Sequence, residues 1–411
     1  MNSNLAIYKN KVSELFMPLF QEGEDQPFLP GGPDELAKLY QKAEKEKKPL
    51  RVKLGIDPTS PDLHLGHTVC LFLLKRFQEH QHLPVLIIGD FTATVGDPSG
   101  RNEARPPLAQ AQAKKNAETY LSQVSKILDL TKVEVHYNSE WFNNFALNTL
   151  LELAHTVTVN QLIAKEAFGS RIEKNEPLYL HEILYPVLQG YDSYKVRADI
   201  EIGGVDQTFN VLFGRHIQKY FKQEPQQVIL NPLLIGLDGK RKMSKSFNNY
   251  IALNDLPDEI FGKAMSIPDN LILSYFNLTN TPRSEFVSII KSLEDKNNNP
   301  RDIKIKLAHK LVSQFYGNGA ADKAKENFIK QFKMNEIPDL VDEYTLNEPL
   351  KIIDLMYVAK LVSSKSEAKR LIEGGGVKLK SSKITDPNLI ITSKDKNSVL
   401  QIGKRKFIKI V

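Results

Sequence analysis

A strand–helix–strand pattern in the first quarter of the chain constrains the fold more than any other feature of the sequence. Residues 51–57 alternate between apolar side chains and Lys53, Gly55 and Asp57, which predicts a strand with one packed face. An apolar helical pattern covers residues 65–81, and residues 84–90 form a largely apolar run, typical of a parallel strand buried on both faces. This order predicts a βαβ unit and hence an α/β fold around a parallel sheet.

The rest of the chain divides into regions of different pattern. Further strands are predicted at 131–137, 198–202 and 226–235, whereas residues 255–335 are helical and charged. The expected divisions are a parallel-sheet domain with an N-terminal extension (1–240), a basic loop and linker (241–254), an α-helical domain (255–335), a linker (336–348) and a small α+β domain (349–411).

Composition narrows the class of protein. Hydrophobic residues make up 41% of the 411 residues and charged residues 25%, which is ordinary for a globular chain and excludes low-complexity or wholly disordered classes. No apolar run approaches the ~18 residues of a membrane span, and the first residues lack a signal-peptide pattern. The single cysteine, Cys70, excludes an internal disulfide and a multi-thiolate metal site. We therefore expect a cytoplasmic protein that has no membrane partner.

The first of two short phosphate-type motifs is His64-Leu-Gly-His67, where a strand is predicted to become a helix. A helix N-terminus favours phosphate, and imidazoles can donate hydrogen bonds to phosphoryl oxygens. Gly66 has no side chain, so a flat purine could lie against its backbone. A zinc pair and two surface histidines are the alternatives, but zinc requires further ligands and no nearby set has the usual spacing.

The second motif, Lys242-Met-Ser-Lys-Ser246, lies in a loop rich in glycine, lysine and arginine. Two lysines three positions apart could both reach a polyphosphate. Such a loop could also become ordered around a transition state and stabilise it. An ordinary basic surface loop is the alternative interpretation.

The two motifs in this order, around a βαβ-rich body, resemble the signatures of class I aminoacyl-tRNA synthetases. HLGH differs from the family's HIGH by one aliphatic change, and KMSKS matches in full. Residues 185–192 (YPVLQGYD) and 203–207 (GGVDQ) are similar to signatures of the bacterial tyrosyl-tRNA synthetases, and the resemblance covers nearly the whole chain. It implies a Rossmann-like catalytic domain, a helical anticodon-side domain and a C-terminal S4-like RNA-binding domain.

The same resemblance implies a function. The chain would be an ATP-dependent tyrosine–tRNA ligase that forms tyrosyl-adenylate, releases pyrophosphate and transfers tyrosine to the 3′ end of tRNA(Tyr). Its ligands would be L-tyrosine, ATP with substrate-borne Mg²⁺, and tRNA(Tyr), with no metal site on the protein. It would form a homodimer, to which the apolar stretch 177–188 is a candidate contributor.

The resemblance also implies roles for individual residues. For tyrosine, the implied contacts to the amino group are Tyr185, Gln189 and Asp97. Asp192 would contact the phenol, and Gln207 would lie by the reacting carboxylate. For ATP, the implied contacts along the nucleotide are Asp57, Thr59, Gly66, Gly204 and Asp206. His64 and His67 would contact the phosphates, Lys242 and Lys245 would contact the departing pyrophosphate, and these four residues are the implied catalytic group.

The residue chemistry agrees with a tyrosine pocket. Tyr185, Gln189 and Asp192 fall at i, i+4 and i+7, which places them on one helix face. Two carboxylates, Asp97 and Asp192, suit the polar ends of a zwitterionic amino acid with a distal hydroxyl. The alternative is that this face packs into the core.

Two positions depart from the family pattern. Where relatives with the better-known pocket carry a tyrosine that contacts the substrate phenol, this chain has Lys53, on the same strand face as Gly55. We hypothesise that Lys53 pairs with Asp192 or bonds to the phenol; the alternative is that it bends away to solvent. Cys70, at a position near the ribose in relatives, is interpreted as a small buried helix residue.

The charge distribution indicates a polyanion-binding domain at the C-terminus. The net charge of +6 is uneven: residues 349–411 hold 14 basic and 5 acidic residues, a local +9, and the remainder, with 41 and 44, carries −3. A solvated surface is the alternative. Residues 355–380 resemble an S4-type domain, in which Lys365, Lys369 and Arg370 would form one basic stripe for RNA phosphates.

Three rival functions are weighed against this one. Another HxGH nucleotidyltransferase that adenylates a small acid is disfavoured by the S4-like tail and the full KMSKS. A non-catalytic RNA-binding protein is disfavoured by the intact histidines and lysines of both motifs. A tryptophan-specific sister enzyme is disfavoured by Asp192.

Overall fold

The computed structural model describes residues 7–13, 28–99, 108–163, 166–295, 297–333, 341–380, 382–403 and 406–411. Parts of the predicted N-terminal extension (1–6 and 14–27) and of the predicted linker (336–340) lie outside the described residues. Contacts divide the chain into two compact units, residues 1–317 and 318–411. This division falls inside the region predicted as one helical domain, and the two units are described separately below.

The first unit is built on a six-stranded sheet. Its strands are β1 (Phe28–Leu29), β2 (Arg51–Ile56), β3 (Leu83–Ile88), β4 (Glu134–Tyr137), β5 (Ile200–Gly204) and β6 (Gln227–Asn231). They lie in the order β1-β6-β5-β2-β3-β4, with β1 antiparallel to β6 and all other pairs parallel. The predicted parallel α/β fold is therefore confirmed.

Strands β2 and β3 follow their sequence patterns. In β2, Val52, Leu54 and Ile56 are buried, as the alternation predicts, and β3 is buried along almost its whole length. Strand β4 is shorter than predicted, because a 3₁₀ turn capped by Asp129 takes up residues 130–132. Since β5, β2 and β3 are parallel, their carboxyl ends meet at one edge, where α/β proteins bind ligands.

Helices cover the sheet and extend beyond it in the first unit. They are α1 (residues 7–13), α2 (Gly32–Glu46), α3 (Leu65–Glu79), α4 (Thr92–Val95), α5 (Gln110–Val124), α6 (Ser139–Phe142), α7 (Leu147–Ala154), α8 (Val159–Ile163), α9 (Glu166–Glu173), α10 (Leu180–Lys195), α11 (Thr208–Tyr220), α12 (Pro257–Met265), α13 (Ile272–Leu278), α14 (Arg283–Glu294) and α15 (Pro300–Tyr316). Helix α3 begins where the sequence predicts and ends two residues earlier.

Helix α10 is anchored by a buried ion pair. Arg171 on α9 meets Glu182 on α10 with Nη1–Oε1 and Nη2–Oε2 distances of 2.7 and 3.0 Å, and both side chains are almost fully buried. Glu182 also accepts a hydrogen bond from the backbone N–H of Tyr179, which satisfies a free donor at the helix start. Further along, Gly190 lies so close to α11 that an added Cβ would sit 2.9 Å from Ile217. These contacts set the position of α10.

The second unit is small and mixed. Its helices are α16 (Asn318–Lys333), α17 (Ile352–Val358) and α18 (Lys365–Glu373), and its strands are β7 (Asp342–Tyr344), β8 (Leu350–Lys351), β9 (Val377–Leu379), β10 (Ser382–Lys383), β11 (Ile390–Ile391), β12 (Val399–Ile402) and β13 (Lys406–Ile410). One sheet has the order β10-β9-β12-β13-β7, and β11 pairs with β8. An apolar core that includes Leu355, Ile372 and Leu400 joins α17 and α18 to the larger sheet.

Across the described ranges, no helix combines the length and the apolar character that a membrane crossing needs.

The Arg171–Glu182 pair gives a stability prediction. Arg171→Met leaves the Glu182 carboxylate buried without its partner, so we expect the first unit to lose about 3–5 kcal/mol of unfolding free energy. Urea unfolding followed by the fluorescence of Trp141, the single tryptophan, reports on this unit. The control is Lys38→Met, which breaks an exposed pair with Glu35 and should cost under about 1 kcal/mol. Equal losses in the two variants would contradict the anchoring role.

Candidate active site

A cavity of about 550 Å³ lies at the carboxyl edge of the sheet in the first unit. Its size is typical of a small-molecule site. The structure brings into its lining every residue that the sequence analysis assigned to tyrosine or ATP: Lys53, Asp57, Thr59, His64, Gly66, His67, Asp97, Tyr185, Gln189, Asp192, Gly204, Asp206, Gln207, Lys242 and Lys245.

Two histidines form the start of α3 at this cavity. The Nδ1 atom of His64 accepts a hydrogen bond from the Gly66 N–H at 3.2 Å, and His67 Nδ1 accepts from the His64 N–H at 3.1 Å. The pKa of His64 is held well below its usual range, chiefly by burial and also by the neighbouring charges. Burial, together with the charge of Lys245, lowers the pKa of His67 to about 4. Both rings are therefore neutral at pH 7, and with Nδ1 accepting, the proton of each ring is on Nε2.

The HLGH and KMSKS segments are joined through the backbone. The N–H of Leu65 donates to the Ile251 carbonyl at 3.0 Å, and the N–H of Leu253 donates to the Leu63 carbonyl at 2.9 Å. Between these bonds, His64 and Ala252 form an antiparallel bridge. Strand-like pairing thus fixes the segment that follows the lysine loop to the segment that begins α3.

Both lysines of the loop have polar partners. Lys242 forms an ion pair with Asp206 at 2.6 Å, and Lys245 donates to the Ser60 hydroxyl and the Asp62 carbonyl. Burial lowers the pKa of Lys245 to about 8. Met243 anchors the loop: its side chain is buried, and its backbone N–H donates to the Leu234 carbonyl at 2.7 Å. The loop therefore points both ammonium groups at the cavity side of the sheet edge.

Helix α10 presents the predicted tyrosine-pocket face. The Tyr185 hydroxyl donates to Asp57 Oδ2 at 2.9 Å, and burial together with the Asp57 charge raises the pKa of Tyr185 well above its usual value. The Gln189 amide donates to Glu201 at 3.1 Å. Across the cavity, Gln207 donates to Asp97 Oδ2 at 2.7 Å. Tyr185 and Asp192 are buried, as the core-packing alternative expects, and the polar groups of this face also line the cavity.

Asp192, on the same face of α10, is buried and has two hydrogen-bond donors as partners. Trp141 Nε1 donates to Oδ1 at 2.9 Å, and Asn138 Nδ2 lies 3.3 Å from Oδ2. Burial raises the pKa of Asp192 to about 7, although Lys53, Trp141 and Asn138 each act to lower it. Its ionisation is therefore balanced near neutral pH.

Lys53 corrects the sequence-based hypothesis. Its side chain is fully buried, so the alternative that it bends to solvent is wrong. Its ammonium group pairs with Glu201 at 2.9 Å, and Asp192 is not its ion-pair partner. The reason is strand register: Lys53 on β2 lies directly beside Glu201 on β5. Direct contact of Lys53 with a substrate phenol stays a prediction.

Several residues of the site were not among those predicted from the sequence. Glu201, Trp141 and Asn138 are all partners of predicted pocket residues. A signal for Glu201 was present, because a carboxylate inside an otherwise apolar parallel strand requires a buried partner. Trp141 lies on the short helix α6 and Asn138 directly precedes that helix, where no local pattern indicates a contact with α10.

The three predicted RNA-contact residues lie on α18 of the second unit. Lys365, Lys369 and Arg370 are exposed, while Ala368 and Ile372 face that unit's core. Lys365 forms an ion pair with Asp354 at 2.6 Å. The helix is therefore amphipathic, with its basic face open.

Cys70 lies on α3, where burial raises the pKa of its thiol to about 12, so it is an unreactive thiol. It also lines the cavity and takes a weak contact from Asn231.

Comparisons with known proteins give the family. Residues 45–333 match the family described as "tRNA synthetases class I (W and Y)", and residues 330–410 match "Tyrosine--tRNA ligase SYY-like C-terminal domain". The tyrosine–tRNA ligase of Carboxydothermus hydrogenoformans is 44% identical over 387 residues, 92% of this chain and 94% of its own. That of Thermotoga maritima is 46% identical over 367 residues, 89% and 91% of the two chains.

A solved structure shows the same fold. Tyrosyl-tRNA synthetase from Archaeoglobus fulgidus, complexed with L-tyrosine, is similar with a TM-score of 0.62 over 77% of this chain and 99% of that one, at 21% identity. At that identity the likeness shows the fold alone, whereas the sequence matches above show the family. The chain therefore belongs to the class I tRNA synthetases of the tryptophan and tyrosine group and, within that group, to the tyrosine–tRNA ligases.

Proposed function

We propose that the chain charges tRNA(Tyr) with L-tyrosine in two steps within this one cavity. The tyrosine carboxylate attacks the α-phosphate of ATP, which forms tyrosyl-adenylate and releases pyrophosphate. A hydroxyl of the terminal tRNA ribose then attacks the adenylate carbonyl and releases AMP. The observation that carries the proposal is that one cavity is lined both by the Tyr185–Asp192 face of α10 and by the two phosphate motifs.

Tyrosine would be held at both ends. Asp97, with Tyr185 and Gln189, would take the amino group, and Gln207, already bonded to Asp97, would lie at the reacting carboxylate. Asp192 would accept a hydrogen bond from the phenol. A buried carboxylate that already has two protein donors keeps its remaining acceptor capacity for a bound hydroxyl. This arrangement supports selection for a para-hydroxyl group.

ATP would lie along the strand ends, with its phosphates at the start of α3. The neutral histidines would donate their Nε2 protons to phosphoryl oxygens, and the helix N-terminus favours the negative charge. Asp57, Thr59, Gly204 and Asp206 would line the adenylate. All four residues line the cavity, and Gly204 and Asp206 are close neighbours, since a Cβ at Gly204 would lie 2.7 Å from the Asp206 carboxylate.

Lys242 and Lys245 would stabilise the departing pyrophosphate, with Mg²⁺ brought in as part of the ATP substrate. Among the described residues, no group of three or more histidine, cysteine, aspartate or glutamate side chains forms a metal site. No protein nucleophile is required, so catalysis would consist of positioning and electrostatic stabilisation.

Two partners follow from the same family. The basic face of α18, with Lys365, Lys369 and Arg370, would bind tRNA phosphates. We also propose a homodimer that acts in the cytoplasm. Exposed apolar side chains on α7 and at the start of α10 support a contact with a second copy: Leu147, Leu151, Tyr179 and Leu180 are each at least half exposed.

Amino-acid-dependent ATP–pyrophosphate exchange tests the proposal directly. We expect L-tyrosine to support exchange, and phenylalanine and tryptophan to be at least about a hundredfold poorer in kcat/KM, since a buried carboxylate is left without its hydroxyl partner. Exchange that depends on tryptophan and not on tyrosine would contradict the assignment.

The loop lysines give a second prediction. The double variant Lys242→Ala, Lys245→Ala should slow adenylate formation at least about a hundredfold, because the charge on pyrophosphate develops without its donors. Tyrosine affinity, measured by equilibrium dialysis, should change little. Lys240→Ala, an exposed lysine of the same loop, is the control and should behave as wild type. Loss of tyrosine binding in the double variant would argue against these roles.

Ionisation of Asp192 gives a pH prediction. Its pKa is raised to about 7, so its charged form is lost as pH falls through that value, and with it the acceptor for the phenol. We expect kcat/KM for tyrosine to fall about tenfold between pH 7.5 and pH 6.0. Phenylalanine is the control, because it shares every ATP-linked effect and has no hydroxyl. Equal pH dependence for both amino acids would refute the role of Asp192.

A further inference from the structure

The ion pair between Lys53 and Glu201 lies at the floor of the cavity. The two residues are directly opposite each other on the parallel strands β2 and β5, and both line the cavity. Their side chains are 0% and 2% exposed, with an Nζ–Oε1 distance of 2.9 Å. Replacing a buried ion pair by apolar residues is often neutral or stabilising, so fold stability alone is a weak reason for its presence.

All three ammonium donors of Lys53 are used, and two of them go to α10. Nζ donates to the Gln189 carbonyl at 3.1 Å and to the Ser193 hydroxyl at 2.7 Å, besides Glu201. Since a lysine has three donors, the group is saturated and cannot donate to another partner without breaking one of these bonds. This disfavours a direct bond from Lys53 to the phenol in this arrangement.

Glu201 also forms hydrogen bonds to the same turn of α10. Oε1 accepts from the Gln189 amide at 3.1 Å, and Oε2 accepts from the Ser193 hydroxyl at 2.9 Å and from Gln226. Residues 189 and 193 are one helical turn apart, and Asp192 lies between them. The pair therefore holds both ends of the turn that carries Asp192, together with the side chain of Gln189.

We propose that the Lys53–Glu201 pair is a positioning element that sets tyrosine recognition by fixing Gln189 and the Asp192 turn of α10 against the sheet. This proposal rests on the proposed function of the cavity. The pair acts through α10 and touches no reacting atom, so its loss changes recognition of the amino acid and leaves the ATP end of the cavity intact. The positive charge of Lys53 also favours the ionised form of Asp192 and lowers its pKa.

The experiment compares Lys53→Met, Glu201→Gln and the double variant in ATP–pyrophosphate exchange. Each single variant leaves one buried polar partner unmatched, so both should raise the tyrosine KM and lower stability. The double variant removes both charges; it should regain most of the lost stability and still raise the tyrosine KM at least about tenfold. The KM for ATP should stay within about twofold, and the preference for tyrosine over phenylalanine should fall.

Arg51→Met is the matched control. Arg51 lies on the same strand and pairs with Glu134 on β4, and it does not line the cavity. This variant should lower stability and leave both KM values unchanged. A double variant with wild-type tyrosine KM, an equal rise in the KM for ATP, or the same tyrosine effect in Arg51→Met would overturn the inference. A wild-type enzyme that shows no exchange with tyrosine would instead overturn the proposed function.

Discussion

The parallel pairing of β5, β2 and β3 is the interaction on which the site depends. Because parallel strands end at one edge, it places Asp57, Gly89 and Gly204 side by side at the mouth of one cavity. Helix α3 starts at the same edge, so its N-terminus faces the space where β2 ends. The HLGH and KMSKS motifs and the Tyr185–Asp192 face of α10 therefore line the same cavity, because the order of the strands brings them to this one edge of the sheet.

The cavity is built from ionisable groups that burial would destabilise if they had no partners. Asp192 has Trp141 and Asn138, and Lys53 has Glu201, while burial keeps His67 neutral at pH 7. Such groups are already oriented before substrate arrives, which is what electrostatic stabilisation of a transition state requires. Apolar contacts along β3 and between α10 and α11 contribute to the stability of this unit.

The two phosphate motifs form one structural unit, although they are far apart in the chain. Backbone bonds join residues 63–65 to 251–253, and Lys242 forms an ion pair with Asp206, a residue proposed to line the adenylate. This ion pair joins the lysine loop to the start of the helical segment after β5.

The sequence by itself determined the features that depend on short stretches: the parallel sheet, the helix that begins at Leu65, and the face of α10 that carries Asp192. Alternation with period 2 also placed Lys53 on the cavity side of β2. Its partner Glu201 could not be predicted, because it is 148 residues away in the chain. The two residues meet only because β5 is the neighbour of β2 and the register of the two strands places them side by side. The contact of Trp141 on α6 with Asp192 on α10 likewise joins residues that are far apart in the chain. Only the tertiary structure decided which buried charges meet, because strand order and loop path are set by packing of the whole domain and not by any local pattern.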